Sequence, residues 1–127
     1  MASISDSIKL ISYDSSRQCE MICPIELLRL INEFPYKNVS DDMLKHCLTL
    51  QSFTDLTIDH KGDETSSEEH AKRIASLIYL IQQGVHIKPV HVYINTRVMN
   101  EIEDGWHRFR AHLYLNQYLP IYLHPPE

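Results

Sequence analysis

The sequence is short of glycine, of cysteine and of positive charge. Three glycines in 127 residues leave few places where the chain can take a positive φ or come close to a ligand without a Cβ in the way. Two of them, Gly84 and Gly105, fall at the ends of regular patterns and act as punctuation. Three cysteines, Cys19, Cys23 and Cys47, are an odd number. Cys19 and Cys23 are not spaced as a Cys-x-x-Cys pair. Small buried apolar residues are therefore the plainer reading, ahead of a metal or redox pair. Reduced thiols go with a cytoplasmic compartment. Twelve Lys and Arg against 17 Asp and Glu give a net charge of −5, which does not draw nucleic acid from a distance. DNA stays possible only through a local patch such as Lys72, Arg73, Arg108 and Arg110. The longest apolar run, residues 77–81, falls far short of the roughly 20 residues that span a bilayer, so no membrane partner is expected. Residues 1–7 lack a basic start followed by an apolar run, so no signal peptide is read there.

What is present is ordinary globular material, 43% apolar and 23% charged. A chain of this length buries a core without staples and is expected to form one domain over 1–127. Residues 7–13 and 18–23 read as strands that could pair. Pro24 can open a helix over 24–33, with Ile25, Leu28 and Ile31 recurring at threes and Leu27 and Leu30 widening the face. Ser40, followed by Asp41 and Asp42, predicts an N-cap and first turn. Ser66 and Glu69 have the spacing of a capping box, and residues 67–83 carry a broad apolar stripe that Gly84 closes. Val90, Val92 and Ile94 alternate with His91 and Tyr93, which predicts a strand with one face in the core. Asn95 and Thr96 form a turn, and 97–102 returns as a hairpin partner. A helix over 106–115 follows, and then a strand over 119–123 that Pro120 places at a sheet edge. The fold class is mixed α+β, a small α/β domain with a short mixed sheet and about four helices.

One corner gathers the chemistry. Val98 to Ile102 is an apolar-ended strand, Glu103 and Asp104 are acids, Gly105 is a turn, and Trp106-His107-Arg108 opens a helix. A helix start offers amides without internal partners and the positive end of a dipole, a natural seat for phosphate. Arg108 can hold a phosphate through two N–H groups, or pair with Glu101 or Glu103. His107 can donate to a phosphoryl oxygen, or pack against Trp106 or Tyr114. Asp104 can hold Mg²⁺ or accept a proton, and it is also the natural N-cap of the helix. Residues 54–67, with Glu68, Glu69 and His70 just after them, are rich in acids and histidine. A divalent-metal site is one reading, but no spacing matches a ligand motif, and a solvated loop leading into a helix, a lid at most, is the plainer one.

The order helix, Gly84, Lys88-Pro89-Val90-His91-Val92, hairpin, Asp104-Gly105-Trp106-His107-Arg108-x-x-Ala111 and Leu119-Pro120-Ile121-Tyr122-Leu123 resembles the ParB/sulfiredoxin superfamily over residues 68–123. The strand over 18–23 and the helix start at Pro24 are similar to that family's opening elements. The resemblance implies a domain that holds a nucleotide's phosphates at this corner. Sulfiredoxins carry a reactive cysteine where Trp106 stands, and an indole cannot act as a thiolate, so sulfinic-acid repair is not expected. Chromosome-partition ParB proteins carry a helix-turn-helix domain after the last strand, and no such pattern follows here. The motif Asp104-Gly105-x-His107-Arg108 is similar to that of the family's free serine kinases and ParB-like nuclease-type proteins.

The function expected from the resemblance is nucleotide binding, with hydrolysis of a nucleoside triphosphate or phosphoryl transfer. Gly105, His107 and Arg108 would hold the phosphates of ATP or CTP. Asp104 and His107 would carry the chemistry, and Asp104 would meet Mg²⁺. Two alternatives stand beside it. One is a metal-dependent nuclease. The other is a non-enzymatic accessory or inhibitor protein, of the kind phages and plasmids encode, with a protein partner on the fold's surface.

Overall fold

The computed structural model describes residues 19–56, 66–95, 100–103 and 105–124. Within them lie four strands and four helices. In chain order these are β1 (Glu20–Ile22), α1 (Pro24–Ile31), α2 (Asp41–Thr49), α3 (Ser67–Gln82), β2 (Val90–Tyr93), β3 (Glu101–Ile102), α4 (Trp106–Leu115) and β4 (Leu119–His124). The fold is mixed α+β, as the patterning predicts. No helix among the described residues is long and apolar enough to cross a membrane.

The helix signals act locally as their chemistry dictates. Ser40 accepts from the amide of Met43 at 3.2 Å, and Ser66 from that of Glu69 at 3.1 Å. The box at Ser66 is half-made, because the Glu69 carboxylate accepts instead from the Thr54 hydroxyl at 2.8 Å. Gly84 takes φ +85° after α3, and Asn116 takes φ 52° as the cap of α4. Helix α1 turns differently from the expected threefold face. Leu27 and Ile31 are fully buried, while Ile25 is 42% exposed. Its stripe therefore runs through positions four apart, and the helix ends at Ile31, where Asn32 adopts the left-handed conformation.

The sheet order is β1-β4-β2-β3. β1 runs antiparallel to β4, β4 parallel to β2, and β2 antiparallel to β3. Two expectations are corrected here. β4 lies inside the sheet and not at its edge. Pro120 stands opposite Met21, and the ladder to β2 begins one residue later at Ile121, so the missing N–H removes no rung from that ladder. The partner of β1 among the described residues is β4; the predicted strand over 7–13 lies outside them. The β2–β3 hairpin is present, with residues 96–99 of its turn outside the described set.

Two apolar clusters hold the domain. One joins α2, α3 and α4 through Leu44, Ile74, Ala75, Ile78 and Ala111. The other fills the space between the sheet and helices α1 and α4 through Leu27, Ile31, Val90, Val92, Phe109, Leu119 and Ile121. Burying each such Leu, Ile or Phe contributes about 1.5–3 kcal/mol. Helix α4 belongs to both clusters, so the strand-to-helix corner at its start is held from two sides.

Candidate functional site

The corner after β3 is built as a close approach of backbones. Gly105 is the N-cap of α4, at φ +112°, and no side chain caps the helix there. A Cβ on Gly105 would sit 2.8 Å from Val90 Cγ2 and 3.0 Å from Arg108 Nη2. Glycine is thus demanded twice, by φ and by space. The expectation that Asp104 would be the N-cap is corrected: the cap position belongs to Gly105. Asp104 itself lies outside the described residues. The first intrahelical bond runs from Phe109 N to Gly105 O at 2.9 Å, so the amides of residues 106–108 come before it, at the positive end of the helix dipole.

Arg108 is folded back across this corner. Its Nη1 donates to the carbonyls of Lys88 at 2.9 Å and Pro89 at 2.8 Å. Glu103 accepts from the Tyr93 hydroxyl at 2.8 Å. That bond, with burial and the nearby carboxylate charge, raises the Tyr93 phenol above its ordinary range. Arg108 fixes the entry of β2 against α4 and leaves its second terminal nitrogen beside Gly105. Trp106, half-buried, packs against the sheet cluster.

His107 meets Tyr36 and His70. Its Nε2 lies 2.8 Å from Nδ1 of His70 on α3. Its Nδ1 lies 3.4 Å from the hydroxyl of Tyr36, in the loop between α1 and α2. The Tyr36 ring stacks on His107, with centroids 4.5 Å apart and planes 17° apart, and tilts against His70 at 4.6 Å. Three segments far apart in sequence therefore place a hydroxyl and two imidazoles in one chain at the first turn of α4. Sequence reasoning missed Tyr36, and it read His70 only as part of an acid- and histidine-rich stretch. The Ser66–Glu69 spacing fixes His70 on the first turn of α3; nothing local pointed that turn at α4.

Behind the corner, Arg110 is 2% exposed. Its Nη2 donates to Val39 O at 3.1 Å and Asp41 Oδ1 at 2.6 Å, and its guanidinium lies over Phe34. It ties α4 to the α1–α2 loop that carries Tyr36. A second histidine pair, His91 Nδ1 and His124 Nε2 at 2.9 Å, stands on the other face of the sheet, with Tyr93 stacked on His124. It borders a cavity of about 580 Å³ lined also by Cys19, Glu20 and Tyr122. Another cavity, of about 530 Å³, is lined by Met21, Ile81, Val85, His112 and Tyr118. Neither cavity reaches the corner. Among the described residues no three His, Cys, Asp or Glu side chains converge as a metal site; the loop residues 57–65 and Asp104 are not among those described.

Comparison with protein-family models, with curated proteins and with solved structures returned no match.

Proposed function

We propose that this chain is a cytoplasmic, ParB/sulfiredoxin-like nucleotide-binding domain that acts on the phosphates of a nucleoside triphosphate at the β3–α4 corner, by hydrolysis or phosphoryl transfer. The observation that carries the reading is the start of α4. A left-handed glycine stands where a capping side chain usually does, and the following amides share one turn with His107 and Arg108. Phosphate takes the place of the missing cap. The Gly105 turn keeps the backbone open to it, His107 lines it from the same turn, and Arg108 adds positive charge while holding Lys88 and Pro89 in place. Sulfinic-acid repair is no part of the proposal, since Trp106 offers no thiolate.

Mg²⁺ enters this reading as the companion of the nucleotide. It keeps most of its water and needs few carboxylates from the protein. Asp104 is the residue in position by sequence to meet it. Among the described residues there is no metal cage.

Calorimetric titration of ATP, CTP and GTP, with and without Mg²⁺, tests the reading. The useful variant is His107→Glu. A carboxylate in the first turn favours the helix dipole by about 0.3–1 kcal/mol, so the change spares this helix while repelling phosphate. Binding of at least one nucleotide that weakens tenfold or more in His107→Glu is expected. No binding of any nucleotide, or binding indifferent to this change, would overturn the proposal.

A further inference from the structure

The groups at the corner form a continuous hydrogen-bonded chain. Tyr36 Oη is 3.4 Å from His107 Nδ1, and His107 Nε2 is 2.8 Å from His70 Nδ1. A short imidazole-to-imidazole contact holds one hydrogen, so one nitrogen donates and the other accepts. The bond between the histidines then couples their tautomers, so that a change in one carries over to the other. If His70 carries its hydrogen on Nδ1, His107 accepts at Nε2, carries its own on Nδ1 and donates to the Tyr36 oxygen. His70 Nε2 is then a base at one end, and the Tyr36 O–H an acid at the other. The stacked rings keep the three groups in register.

We infer that Tyr36, His107 and His70 form a proton relay that serves phosphoryl transfer at the α4 start, with His70 taking the proton of the attacking hydroxyl and Tyr36 giving one to the leaving oxygen. This rests on the nucleotide reading above. The step balances as follows. The hydroxyl oxygen forms a bond to the γ-phosphorus, and its proton goes to His70 Nε2. The Nδ1 proton of His70 passes to His107 Nε2, and the Nδ1 proton of His107 passes to the Tyr36 oxygen. The Tyr36 proton goes to the bridging oxygen as its bond to phosphorus breaks. Each relay group loses one proton and gains one, so the chain ends in the opposite tautomers and resets through solvent. Positioned acid–base groups of this kind are worth about 10²–10⁴-fold in rate.

Two variants separate relay from scaffolding. His70→Asn puts an amide where Nδ1 stood, so a hydrogen bond to His107 can persist while the second ring nitrogen is gone. Tyr36→Phe keeps the ring stack and removes only the hydroxyl. Nucleotide affinity, turnover and the solvent deuterium effect on turnover are measured in each, beside nitrogen-15 shifts of the imidazoles in the unliganded protein. Expected are affinities within about twofold of the parent, turnover down about 100-fold in His70→Asn and about tenfold in Tyr36→Phe, and a reduced isotope effect in both. The shifts should show His70 and His107 in matched single tautomers. Bound nucleotide with no turnover in the parent chain, or turnover unchanged in His70→Asn, would overturn the relay and leave phosphate binding standing. Absence of binding in the parent would overturn both.

Discussion

His112 makes stability depend on pH in a way that can be worked from its surroundings. The side chain is 4% exposed, on the last turns of α4. Its Nδ1 lies 3.3 Å from the carbonyl of Gln117, an acceptor only, so Nδ1 must carry the hydrogen and donate. Nε2 is buried and has no hydrogen-bond partner among the described residues. Charging the ring would put a second N–H in that closed place. Burial accordingly pushes the His112 pKa down from 6.5 to about 4, against smaller raising effects from the Gln117 and Tyr118 backbone. The folded value lies below the unfolded one, and the group is a base. Between those two values the unfolded chain binds the extra proton and the folded chain does not, so stability falls as pH drops from about 6.5 towards 4 and levels off below. Going from pH 7.5 to 4.5, linkage with these two values gives a loss of about 2–3 kcal/mol from this residue. Urea unfolding of the parent and of His112→Asn, which keeps a donor near Gln117, reads it directly. Other groups titrate in both proteins and cancel in the difference. His112→Asn should be the less stable protein at pH 7.5, with the gap closing or reversing by pH 4.5. Parallel stability curves for the two proteins would refute the reasoning.

Three further outcomes follow from the packing. Gly105→Ala meets both a positive φ and Val90 Cγ2 at 2.8 Å; a loss of about 2–4 kcal/mol is expected in denaturant unfolding, and a loss under 0.5 kcal/mol would show that the corner relaxes freely. Arg110→Ala strips the Val39 carbonyl and Asp41 of their shared donor, so thermal unfolding should register about 2–4 kcal/mol, with Asp41→Asn costing far less because Asp41 is exposed to solvent. Asn100 accepts from Asn95 N and donates to Leu30 O, each at 2.9 Å; Asn100→Asp keeps the first bond and turns the second into a repulsion, so amide exchange in the β2–β3 hairpin should quicken and stability fall by about 1–2 kcal/mol.

Much of the fold was legible because its signals are local. Ser40, Ser66, Gly84 and Asn116 cap or close their helices through groups within a few residues. The Val90–Val92 alternation sets the core face of β2 whatever lies opposite. Strand order was not legible in the same way. Pro120 signals an edge only if its N–H would face a neighbour, and that depends on where the β2 ladder starts. The site divides along the same line. Gly105, His107 and Arg108 sit at the turn their spacing announces. Arg108 bonds to carbonyls that any sequence offers, so no residue pattern could have foretold Lys88 and Pro89 as its partners. Tyr36 and His70 reach His107 across 71 and 37 residues. The His70 contact is made by the packing of α3 on α4, and the Tyr36 contact by the α1–α2 loop that Arg110 ties to α4; neither is set by its local stretch.

The place of β4 bears on how the molecule is made. This strand follows every other described element in the chain, yet it is the one that β1 and β2 both need. As the polypeptide leaves the ribosome, β1 emerges early and waits for its neighbour through the synthesis of all four helices. Among the described strands, β2 has the short β3 beside it until then. The sheet of described strands is therefore completed by its last-made member, which enters between β1 and β2.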